Sequence, residues 1–411
     1  MRSTIVLLHR WTGLATALFL AVAGLTGTAL TFRDELEALI NPRLFVVGWQ
    51  PGAAVDPVAL RDRVQRAFPQ ARVDYMPFPR PGRSAMFYLM PQPNRSTGKA
   101  PPLVFDQVFI DPQTGAILGG RRWGALFDGW HFQRANIVPF IWRLHEALAL
   151  PHPYGKIFFG LIALLWTFDC FIGFVLTLPR GRPLLQKWKP AWQIKARAAP
   201  YRRYLDLHRA FGLWLWALLL VLAWSSVMLN LRDVIYRPIM SIALPFEDSQ
   251  PDRLPTPDYN PKIDWRAALT AGRREISGLS ARENFSIRYE DSLWYRPALG
   301  AYLYRTHTSL DIRETGGGTD LWIDAQTGRL IRAQFERKGA AGDVVSEWLR
   351  ALHTATVFGF GYRLLIAISG LVVAMLSITG IYIWWVKRRG RTARKRFPVA
   401  VSPHRLPTEL G

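Results

Sequence analysis

The sequence predicts an α+β membrane protein. Four transmembrane helices form two tandem parallel repeats, and each repeat carries a helix-plus-antiparallel-sheet domain on the outer side. Three observations predict it. Four apolar stretches reach the roughly 20 residues that a bilayer span needs. Two long polar segments repeat one order of motifs. A Leu-His pair stands at the start of two spans and another shortly before the other two.

The first span is placed within residues 1–30, its apolar run from Ile5 to Leu30. It is long for a signal-peptide core, and no small-residue cleavage site precedes Arg33-Asp34-Glu35, so it reads as a retained helix. An outer domain follows over 31–156. The second span covers 157–178, a basic loop 179–204, the third span 205–229, a second outer domain 230–361, the fourth span 362–386 and a basic tail 387–411. Trp11, Trp384 and Trp385 sit toward helix ends, as interfacial aromatic residues do.

Charge sets the orientation. The net charge of +22 resembles that of a nucleic-acid binder, but its distribution excludes that class. Pro179 to Tyr204 holds eight basic residues and no acidic one, and Lys387 to the C-terminus holds eight more against Glu409. Basic blocks abutting apolar helices are cytoplasmic flanks. Both termini then lie in the cytoplasm, and the two long segments lie outside, in the periplasm of a bacterium. The single cysteine, Cys170, rules out an intrachain disulfide, covalent haem attachment through two cysteines and a four-cysteine iron–sulfur cluster.

The two outer segments share their grammar. Each opens with an amphipathic helix behind an N-cap aspartate, Asp56 in one and Asp264 in the other. Each continues into alternating runs, Ala85 to Leu89 and Ala301 to Tyr304. Each carries an Asp-led, Gly-closed hairpin signal, Asp111 to Gly115 and Asp324 to Gly328. Each ends in a Leu-His pair, Leu144-His145 and Leu352-His353.

Of eight histidines, four fall at repeated positions. His9 and His208 stand at the cytoplasmic ends of spans one and three. His145 and His353 precede spans two and four on the outer side. From His9 to Leu30 a helix rises roughly 30 Å, so an inner histidine pairs with the other inner one. Two sites result, one per leaflet, each with two imidazoles. That arrangement suits a haem iron with two axial histidines, with Gly13, Gly24, Gly27, Gly173, Gly212, Gly370 and Gly380 as candidates for making room. Interfacial histidines and a two-histidine zinc site are the alternatives, although no Cys or carboxylate recurs to complete a zinc tetrahedron. Arg10 and Arg209 repeat beside their histidines and are candidates for haem propionates or membrane anchors. His131, His307 and Trp130 are candidate substrate contacts; the two histidines are also candidate extra ligands, and read more readily as surface or loop residues. His152 lies in a Pro151-His152-Pro153 break, and His404 in the basic tail. Gly316-Gly317-Gly318 has no strand-to-helix context for nucleotide, and no dinucleotide or Walker motif appears. An oxidoreductase built this way takes electrons from another protein or from membrane quinol.

The chain resembles the PepSY-associated transmembrane family, in particular its siderophore (ferrioxamine-type) ferric reductase branch. The residues are Leu8-His9-Arg10 with Gly13-Leu14, the two Ile-Asp…Thr-Gly hairpins at 110–115 and 323–328, the Leu144-His145 and Leu352-His353 pairs, and Thr379-Gly380-Ile381-Tyr382. The resemblance runs from about Ser3 to Arg389. It implies PepSY-like outer domains and an inner-membrane location. It also implies b-type haem, expected twice, ligated by His9, His208, His145 and His353, and reduction of a ferric siderophore to release Fe(II). The electron donor expected is quinol or a cytoplasmic reductase. The competing expectations are a non-redox envelope binding module or an accessory subunit of a siderophore import system.

Overall fold

The computed structural model describes residues 2–52, 54–93, 101–248 and 250–396, so His404 and the end of the basic tail lie outside the described residues. Two compact units emerge. The first comprises the described residues within 1–24, 165–220 and 371–396, and the second those within 25–164 and 221–370.

Among the described residues, three helices are long and apolar enough to cross a membrane: Arg2–Leu30, Tyr154–Thr177 and Gly359–Gly390. The third expected span is interrupted. Helices Pro200–Trp214 and Trp216–Asn230 meet at a 72° bend, and count as a fourth span if taken together. Leu215 between them leaves helical geometry, with φ −104° and ψ 8°. The indoles on either side of it are tied elsewhere, Trp214 Nε1 to the Trp192 carbonyl at 3.2 Å and Trp216 Nε1 to the Cys170 carbonyl at 3.0 Å.

The first unit is helical. Arg2 donates to the carbonyls of Leu176 and Leu178, satisfying acceptors that the end of the second spanning helix leaves open. Asp206 is fully buried and holds Arg202 and Arg209.

The second unit holds the sheets. Its five-stranded antiparallel sheet runs in the order Leu330–Gln334, Thr319–Asp324, Ala301–Thr308, Ile287–Arg296, Tyr75–Pro77. The last of these comes from the first outer segment, with Tyr75 opposite Trp294. The sheet is therefore shared between the two outer segments, where the repeated pattern suggested one per segment. Helix Trp265–Glu283 lies against it through Trp265, Ala268, Leu269 and Ile276. Gly272 allows that approach: a Cβ there would stand 2.6 Å from the Tyr304 ring. A three-stranded sheet joins Ala85–Tyr88, Gln107–Ile110 and Ile117–Arg121, and two-stranded sheets pair Ala71–Arg72 with Met90–Pro91 and Phe127–Asp128 with His131–Phe132.

The expected local signals fold as read. Asp56 caps Pro57–Ala67 through the Ala59 amide, and Asp264 caps its helix through Ala267. Asp111 and Asp324 accept from amides two and three residues on, while Gly115 and Gly328 take positive φ. Both hairpins carry a register shift beside the turn.

Candidate functional site

Each unit brings two of the repeated histidines together. In the first unit the rings of His9 and His208 lie 6.1 Å apart between centroids. In the second, those of His145 and His353 lie 6.2 Å apart. Two metal–imidazole bonds of about 2 Å, with the ring radii, put the centroids of collinear ligands roughly 6 Å apart. Both pairs have that spacing.

Every one of the four rings is anchored through Nδ1. His9 Nδ1 meets Asp169 Oδ1 at 2.9 Å. His208 Nδ1 meets the Leu376 carbonyl and Thr379 Oγ1, each at 3.1 Å. His145 Nδ1 meets Thr26 Oγ1 at 3.1 Å, and His353 Nδ1 meets Ser225 Oγ at 2.8 Å. A partner on one ring nitrogen fixes orientation and assigns coordination to the other. Here that nitrogen is Nε2 in all four.

Glycines seat the rings. A Cβ on Gly173 would lie 3.5 Å from His9 Cε1, one on Gly380 3.4 Å from His208 Cε1, and one on Gly27 3.0 Å from His145 Cε1. Thr26-Gly27 and Thr379-Gly380 are thus the same device, a hydroxyl for Nδ1 beside a missing Cβ for the ring.

In the first unit a cavity of about 440 Å³ opens at the pair, lined by His9, Arg10, Gly13, His208, Arg209 and Gly212 among others. Gly13 and Gly212 stand one helical turn beyond their histidines, and a Cβ on either would meet nothing within 4 Å. Both arginines leave a buried Nε without a hydrogen-bond partner. Arg209 does use Nη2, toward Asp206 Oδ1 and the Pro190 carbonyl. Two paired imidazoles, a cavity beside them and two guanidinium nitrogens without hydrogen-bond partners are the groups here that could hold an anionic, metal-centred cofactor. Among the described residues no group of three or more His, Cys, Asp or Glu gathers that could enclose a metal alone.

A model of the PepSY-associated TM region matches residues 6–387, nearly the whole chain. The chain belongs to the PepSY-associated TM region family. No curated protein matches it. Family membership accounts for the apolar helices and makes this a membrane protein.

The remaining candidates divide. Trp130 and His131 are exposed on the hairpin of Phe127–Asp128 and His131–Phe132. His307, read as a surface or loop residue, is 1 % exposed in strand Ala301–Thr308. It stacks on Tyr289 and meets the Gly316 carbonyl at 2.8 Å and Asp311 Oδ2 at 3.0 Å, so it offers nothing to solvent. Burial raises the Asp311 carboxyl above the ordinary range, against hydrogen bonds from Thr319, Thr308 and the Gly318 amide. That cluster shapes the glycine loop from inside. His152 is exposed and approaches Glu146 at 3.6 Å.

Asp169, Thr26, Ser225 and Thr379 were not among the residues expected at the site. Two signals pointed to them. Asp169 is a carboxylate inside an apolar run, which marks function in a membrane. Thr26 and Ser225 stand at one interval beyond the repeated histidines, from 9 to 26 and from 208 to 225.

Proposed function

We propose that this protein is an inner-membrane b-type haem oxidoreductase that passes electrons across the membrane to a ferric siderophore in the periplasm, releasing Fe(II). The single observation that carries the reading is the pair of bis-imidazole sites at 6.1 and 6.2 Å, with all four rings held through Nδ1. The termini lie in the cytoplasm and the two outer segments in the periplasm, by the basic flanks. The tandem repeat of helix, outer domain and helix places like histidines at like depth.

The residues fit the cofactor. His9 with His208, and His145 with His353, would hold its iron through Nε2. Gly13 and Gly212 keep the porphyrin space open, and the orphaned Nε of Arg10 and Arg209 suit its propionates. When bound, a haem would supply one-electron exchange. The protein's own work is orientation: the Nδ1 partners hold each ring in one tautomer, and the apolar helix walls exclude water. Each ferric ion takes one electron, drawn from membrane quinol or a cytoplasmic reductase. Hard oxygen chelators hold Fe(II) less tightly than Fe(III), so reduction frees the metal. The first outer segment carries 15 Lys and Arg against 10 Asp and Glu, a basic balance suited to an anionic chelate.

The test is a reduced-minus-oxidised absorption spectrum of the purified protein. A b-type α-band is expected, and the His9→Ala/His208→Ala protein should keep about half of it. Dithionite-reduced protein should then be reoxidised by a ferric siderophore, with Fe(II) appearing in a ferrous trap. A spectrum without the α-band leaves a non-redox envelope binding module or an import accessory subunit as the function.

A further inference from the structure

The four ring anchors are not chemically equivalent. His208, His145 and His353 rest on neutral acceptors, a carbonyl and three hydroxyls. His9 alone of the four rests on a carboxylate, Asp169, whose side chain is 13 % exposed. The contrast is clearest within the first unit. Gly173 seats the His9 ring and Gly380 the His208 ring. Four residues before Gly173 stands Asp169, and four residues before Gly380 stands Leu376. On the last helix that turn offers the Leu376 backbone carbonyl and the Thr379 hydroxyl, both neutral. Among the described residues no Lys or Arg forms an ion pair with Asp169; its partner is the imidazole of His9. A carboxylate in a membrane helix is costly and needs a reason.

We propose that Asp169 is a positioning residue that makes the His9/His208 site the lower-potential of the two, an inference that rests on the haem reading above. Asp169 accepts the Nδ1 proton of His9 and keeps it there, so the ring has a fixed tautomer and turns Nε2 to the metal. Its negative charge, in a medium that screens little, makes that ring a stronger electron donor than one backed by a hydroxyl. A stronger donor favours the ferric state of an iron at Nε2. The hydroxyl anchors Thr26 and Ser225 give His145 and His353 no such charge. The thermodynamic drop for an electron therefore runs from the His9/His208 pair to the His145/His353 pair, outward in the orientation that the basic flanks set. Asp169 neither gains nor loses a proton or electron in this role.

Potentiometric titration of the purified holoprotein, followed at the α-band, tests it. Wild type should show two midpoints. Asp169→Asn keeps a hydrogen-bond acceptor of the same shape and removes the charge. It should retain haem and raise the lower midpoint by at least a tenfold change in that site's ferric/ferrous equilibrium, about 59 mV for one electron. The upper midpoint should not move, and Asp169→Glu should return the lower one toward wild type. Unchanged midpoints in a haem-replete Asp169→Asn protein would overturn the proposal, as would equal shifts of both. Should Asp169→Asn lose the inner haem, retention with a low midpoint in Asp169→Glu supports the charge, and loss in both variants overturns it. Absence of haem from wild type fails the functional reading itself, which is a different result from unchanged midpoints.

Discussion

Replacing Gly27 with alanine puts one methyl group against the His145 imidazole, and the structure gives the size of the effect. The new Cβ would stand 3.0 Å from His145 Cε1. Carbon atoms settle at about 3.5–4.0 Å, so the ring must retreat by roughly 0.5 Å or more. His145 Nδ1 already stands 3.1 Å from Thr26 Oγ1. A retreat of that size stretches the bond to about 3.6 Å, where it no longer counts as a hydrogen bond. A lost hydrogen bond of this kind costs about 0.5–1.5 kcal/mol, which would weaken retention of the proposed haem at this site about two- to tenfold. The assay is the haem-to-protein ratio of Gly27→Ala after successive dilutions, with its α-band compared against wild type. Gly48→Ala and Gly361→Ala are the controls, because their Cβ atoms meet nothing within 4 Å and neither residue stands at a histidine pair, so they should leave retention unchanged. Equal retention in Gly27→Ala and the controls would refute the reasoning, since the ring would not be seated where the glycine places it.

Other perturbations address the frame that holds the sites. Arg121 and Glu37 are each about 3 % exposed and pair at 2.9 Å, with Arg121 also donating to Gln107 and the Ala135 carbonyl. Arg121→Met strands a buried carboxylate and should cost about 3–5 kcal/mol in detergent unfolding followed by tryptophan fluorescence, and Glu37→Gln in the same chain should recover part of it. Gly272→Ala drives a methyl into the Tyr304 ring and should cost about 1–3 kcal/mol in the same assay. Asp56→Ala removes the cap of Pro57–Ala67 at about 1 kcal/mol, read as faster amide exchange in that helix. Burial works to raise the Asp56 carboxyl, yet the Ala59 amide and Arg266 outweigh it and hold it below its usual value. The cap is therefore fully formed above the unfolded carboxylate range and weakens as pH falls through the lowered value; Asp56→Asn should abolish that dependence.

The sequence is transparent where local chemistry decides and opaque where tertiary context does. Apolar length revealed the spans, and Asp before an amphipathic run revealed both caps. The bend at Leu215 escaped because a run such as Leu213 to Leu222 is apolar whether straight or broken. The shared sheet escaped because its fifth strand is three residues, Tyr75 to Pro77, too short for alternation to register. His307 misled because strand Ala301–Thr308 is buried on both faces, so the two-residue period that marks an outward side chain is missing.

The histidines were legible because the chain repeats them; their anchors were legible only once a ring was known to need one. Side chains four apart share a helix face, so Asp169 and Gly173 form one cradle and Leu376 and Gly380 another. Neither pair stands out in an apolar run until an imidazole is brought to it. The informative difference between these two cradles is then the charge on Asp169. An aspartate that a hydropathy count treats as a blemish is the carboxylate that sets the His9 ring apart from the other three, and redox potential is the property that such a charge would move at a bound metal.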